Sequence, residues 1–104
     1  MRTLNYYNAN IEACKTNLEG VKKTIAWIEN EEMLPFKEER LGQALKLKAD
    51  IENSIKALEE GKRTLMLQAM KASLQDCINE AKTDEELTTY VDMMSKFTFL
   101  HPEI

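Results

Sequence analysis

One histidine and two cysteines are the groups with which this chain of 104 residues would do chemistry near neutral pH. A nucleophilic pair would need His101 to take a proton from Cys14 or Cys77 at hydrogen-bonding distance, with a third group holding the imidazole. His101 stands beside Pro102, beyond the last helical pattern, and is expected in a loose, solvated tail, a poor place for a general base. Cys14 and Cys77 form no CxxC pair, and are expected to act as small apolar side chains in a reducing compartment. A single histidine allows neither an HExxH site nor the Glu-x-x-His pairs of a di-metal bundle. Gly20, Gly42 and Gly61 are isolated, so no glycine-rich loop exists to cradle a phosphate.

Carboxylates are plentiful, but they come as doublets: Glu31–Glu32, Glu38–Glu39, Glu59–Glu60 and Glu85–Glu86. Adjacent residues on a helix diverge by about 100°, so a doublet does not converge on one substrate atom. No catalytic residue, cofactor or metal ligand emerges. The expectation is a protein that is not an enzyme and that acts by binding another protein.

The residues expected to bind a partner lie in three places. Tyr6, Ala13, Gly20 and Trp27 recur every seventh residue and therefore share one stripe of the first helix, with two aromatics of the kind that dominate interfaces at its ends. Around the first turn, Glu29, Glu31 and Glu32 sit beside Met33, Leu34 and Phe36, an acidic and apolar mixture suited to a partner's cleft; the plainer reading is a turn closed by a hydrophobic staple. Phe97, Phe99, Leu100 and Ile104 make an apolar C-terminal segment, either core or a dimer clasp.

These residues must be positioned by helices. Leu4, Tyr7, Ile11, Cys14, Leu18, Val21, Ile25 and Ile28 keep three-and-four spacing, which predicts a helix over about 3–32 packed along its length. Pro35 disfavours helical geometry at Leu34 and suits a first helical turn, so a second helix is expected over about 35–82, antiparallel to the first. Its seam runs Leu41, Ala44, Lys48, Ile51, Ile55, Leu58, Lys62 and Leu65; a break near Gly61 is the alternative to one long helix. Thr83-Asp84-Glu85-Glu86 reads as a capping box opening a third helix over about 84–100. The fold class is thus all-α: a long, coiled-coil-like antiparallel hairpin plus a shorter C-terminal helix, in a single domain over 1–104. The uncharged face of the first helix is too wide for one neighbour; a three-helix bundle, if the chain breaks near Gly61, or a homodimer would cover it, and the long helix with a homodimer is the expectation.

Composition agrees with this. Hydrophobic residues are 43% and charged residues 31%, with three glycines and two prolines to break the chain. Net charge is −4, and the lysines of the second helix (Lys46, Lys56, Lys62, Lys71) alternate with acids, so nucleic-acid binding through them is the weaker alternative. No apolar run approaches membrane-spanning length, and MRTLNYYNANIEACK lacks the apolar core of a secretory signal; a cytoplasmic protein, or one acting in a host cell's cytoplasm, is expected. In outline the acidic-tipped hairpin over residues 3–60 resembles the coiled-coil arm of bacterial transcript-cleavage factors, in shape alone and without matching tip acids. Trp27 is followed by Ile28 and Glu29, so the Trp-x-Gly motif of small secreted hairpins is absent. The functional expectation is a helical adaptor or inhibitor, with a small acidic phage-type inhibitor of a host defence complex as a narrower form of it.

Overall fold

The computed structural model describes residues 2–104, and among these it contains three α-helices and no strand: α1 (Leu4–Asn30), α2 (Lys37–Glu80) and α3 (Asp84–Leu100). This is the expected all-α hairpin with a shorter C-terminal helix. The chain divides into two compact units, Met1–Lys62 and Arg63–Ile104, and α2 runs through both.

In the first unit, α1 starts where Thr3, extended at φ −102°, accepts a hydrogen bond from the Tyr6 N–H at 3.2 Å. Burial then follows the heptad seam: Tyr7, Cys14, Leu18, Val21 and Ile25 are half-buried, and Ile11 and Ile28 are buried. Facing them, Leu41, Ala44, Ile51, Ile55 and Leu58 of α2 are half-buried. Lys48 and Lys62 also occupy seam positions and are half-buried, which a lysine tolerates because its long stem is apolar.

Helix α1 ends at Asn30, close to its expected end, where Glu31 turns extended at φ −90° and ψ 105°. One expectation needs correction: α2 opens at Lys37 rather than at Pro35. The cause is Phe36, whose φ of 55° takes the chain off any helical path; its carbonyl accepts the first helical bond, from the Arg40 N–H at 3.0 Å. Of the two courses open to α2, the unbroken helix through Gly61 is the one present. A Cβ there would lie 2.6 Å from the Tyr7 ring, so the ring occupies the space that any larger residue at 61 would need. Helix propensity alone would have Gly61→Ala stabilise the fold by about 1 kcal/mol. Because the Tyr7 ring must leave its seat, we expect net destabilisation of about 1 kcal/mol in chemical denaturation. In a Tyr7→Ala background the same substitution should instead stabilise; a gain in both backgrounds would remove the contact from the explanation.

In the second unit, α3 begins at Thr83, which accepts from the Glu86 N–H at 3.1 Å, while the Glu86 carboxylate accepts from the Lys82 N–H at 3.3 Å. The expected capping box is present, with its return arm reaching one residue further back than the standard form. Leu67, Lys71, Leu74, Ile78 and Ala81 of α2 are half-buried, as are Tyr90 and Met94 of α3, and Phe97 is the buried centre. His101 is not in a loose tail. It caps α3 by donating its N–H to the Phe97 carbonyl at 2.9 Å, and its ring lies 5.1 Å from the Phe97 ring. The segment after it is held too, since Lys71 Nζ donates to the Ile104 main-chain oxygen at 2.7 Å. Cys14 and Cys77 are free and half-buried. No helix among the described residues is long and apolar enough to cross a membrane.

Candidate protein-docking surface

The turn between α1 and α2 is the most exposed apolar feature of the first unit. Its frame is fixed by backbone chemistry. The Glu31 N–H donates to the carbonyls of Trp27 (3.1 Å) and Ile28 (3.3 Å), closing α1. Lys37 Nζ donates to the Glu29 carbonyl at 3.1 Å, tying the start of α2 to the last turn of α1. Between these anchors Leu34 is half-buried, whereas Met33 is 90% exposed and Phe36 72%.

Phe36 is costly on two counts. A left-handed backbone costs a residue with a Cβ roughly 1–2 kcal/mol, and such positions usually hold Gly, Asn or Asp. A solvated aromatic ring also forgoes the burial that would reward it. Trp27, one turn before the end of α1, is 51% exposed. Glu29, Glu31 and Glu32 are exposed among these groups, and among the described residues the ion pairs are Lys22–Glu19 and Lys96–Asp92, so none involves the turn acids. The turn therefore presents oily side chains within a rim of negative charge.

The other positions expected to bind a partner separate. Tyr6 shares its side of α1 with Trp27, but twenty-one residues at 1.5 Å each put them about 31 Å apart, too far for one contact. Tyr6 meets the Tyr7 ring edge-on at 5.4 Å, with the Arg2 guanidinium 5.1 Å from its centroid. Between the two aromatics, Gly20 has open space where a Cβ would stand. It borders an uncharged groove of about 560 Å³ lined also by Thr16, Asn17, Thr24, Leu47 and Ile51. Phe97 is core, whereas Phe99 is 84% exposed and borders a groove with Ile78 and Val91.

Sequence reasoning passed over Leu47 and the exposed Met66 and Met93. The available signal was spacing: Met66 leads Met70 by one turn on the side of α2 away from its α3 seam. No three His, Cys, Asp or Glu side chains among the described residues are grouped to hold a metal ion. No family model matches the chain, and neither a curated protein nor a solved structure matches it.

Proposed function

We propose that the chain is a non-enzymatic protein-interaction module, a small helical adaptor or inhibitor, which inserts its α1–α2 turn into a cleft of another protein. The observation that carries this reading is Phe36, a large aromatic held in solvent at a φ of 55°. A fold selected for stability alone would place glycine there; strain kept at an exposed position is characteristic of binding sites. Met33 and Phe36 are the anchors, and Glu29, Glu31 and Glu32 supply the rim. The fitting partner has an apolar hollow bordered by lysine or arginine, because opposite charge around a hydrophobic centre gives specificity and fast encounter.

Stability and binding should respond in opposite directions to one substitution. Phe36→Gly removes the left-handed strain but loosens the unfolded chain, so thermal stability should stay level or rise by up to about 1 kcal/mol. Affinity for the partner should meanwhile fall roughly thirtyfold, as for loss of an aromatic anchor. The test is affinity capture from native lysate with the wild-type chain, Phe36→Gly and Met33→Ser in parallel. A protein retained by wild type and lost by both variants, at unchanged helix content, supports the reading. The same proteins retained equally by all three would dismiss the turn as a docking element.

A further inference from the structure

We propose that the second unit pairs with another copy of this chain, α2 against α2 in antiparallel sense, across a flank that α3 leaves vacant. This does not rest on the turn being a docking element, and it concerns different residues.

Within the second unit, α2 carries two seams side by side. One of them, Leu67, Lys71, Leu74, Ile78 and Ala81, is half-buried through its whole length against α3 and the returning tail. The other is Arg63, Met66, Met70, Ser73, Cys77 and Glu80, and all but Cys77 are exposed. Its spacing alternates three, four, three, four, three, which is the heptad pattern of a helix packed along a second helix. No residue between Arg63 and Glu80 on this flank is charged. Its centre is a groove of about 380 Å³ lined by Ala69, Met70, Ser73, Leu74, Cys77 and, from α3, Met93.

The occupant follows from two observations. The spacing reads the same in both directions, so a second α2 running the opposite way meets it in register about a two-fold axis midway between Lys71 and Ala72. Met66 then faces Cys77 of the other copy and Met70 faces Ser73: each flexible thioether lies over a small residue, twice by symmetry. Charge selects the same orientation. Arg63 at one end meets Glu80 at the other, whereas a parallel pair would set Arg63 against Arg63 and Glu80 against Glu80.

Cross-linking reads the register directly. With Cys14→Ser and Met66→Cys in the full chain, a short bismaleimide should join position 66 of one copy to Cys77 of the other and give a covalent dimer. Adding Cys77→Ser should abolish it, since two copies of position 66 then lie eleven residues apart along antiparallel helices, about 16 Å. Charge is tested separately: Arg63→Glu should raise the dimer dissociation constant roughly tenfold, and Glu80→Arg in the same chain should restore it. Helix content by circular dichroism confirms that each variant is folded. A dimer cross-linked through position 66 without Cys77, a charge reversal that Glu80→Arg does not rescue, or a chain that stays monomeric would each overturn the pairing.

Discussion

Phe97→Ala is expected to cost about 3–5 kcal/mol and to free α3 from α2. Phe97 is the one buried side chain among the described residues of the second unit, at 8% exposure, and no second buried residue there takes up the loss. It also positions His101, whose ring packs on it and whose N–H closes α3 on the Phe97 carbonyl. Truncation to alanine therefore removes a core ring and loosens the final turn together. Hydrogen exchange followed by fragment should show α3 amides losing most of their protection, while the α1 amides of the first unit keep theirs. Uniform loss across all three helices would mean that the two units unfold as one. Phe99→Ala is the control: at 84% exposure the adjacent phenylalanine should change stability by no more than about 0.5 kcal/mol.

Ile28→Ala should be the most damaging substitution in the first unit, at about 2–5 kcal/mol. At 4% exposure Ile28 is the most buried residue described, and it lies in the last turn of α1, where its carbonyl accepts from Glu31. Its loss leaves a cavity beside the turn that carries Met33 and Phe36. The docking surface should loosen with it, so partner binding should fall even though Ile28 presents almost nothing to a partner. Val21→Ala, at a half-buried position further along the same seam, should cost less, because its site is already open to water on one side. Equal costs at the two positions would show that burial along α1 is not graded as described.

The packed side of each helix was readable from spacing. Seven of the eight seam positions of α1 are the buried or half-buried ones, Leu4 at its exposed start being the exception, and the α2 seam follows suit down to its two lysines. Such agreement is expected where a three-and-four repeat forces one stripe inward. Thr83 and Glu86 were readable for a similar reason, since a capping box is a local bargain between nearby groups. The start of α2 was not. Pro35 fits a first helical turn by its own geometry, and nothing in residue type announces that Phe36 will adopt the conformation usually left to glycine. Gly61 was half legible: propensity leaves a break open there without requiring one, and the reason for glycine lies in Tyr7, fifty-four residues earlier. His101 looked loose because the ring that holds it belongs to the preceding helical turn, a contact that spacing toward a helix end does not reveal.

The candidate surfaces divide along the same line. Exposure of the turn acids followed from charge, whereas exposure of Met33 and Phe36 depends on the backbone path of the turn, which residue type does not announce. The vacant seam of α2 was hidden because Met70 and Cys77 also fit the description of core, and only the position of α3 shows which apolar side it leaves uncovered. Two-helix units with oily flanks are marginal alone, and association is the physical remedy that the surface chemistry favours.

Sedimentation equilibrium on the full chain, from low to tens of micromolar, asks whether that uncovered surface is used. The weight-average mass should climb with concentration from 12.0 kDa toward twice that value. A mass fixed at 12.0 kDa throughout the range would show that the exposed apolar seam is tolerated in water and that the association inferred from it does not occur.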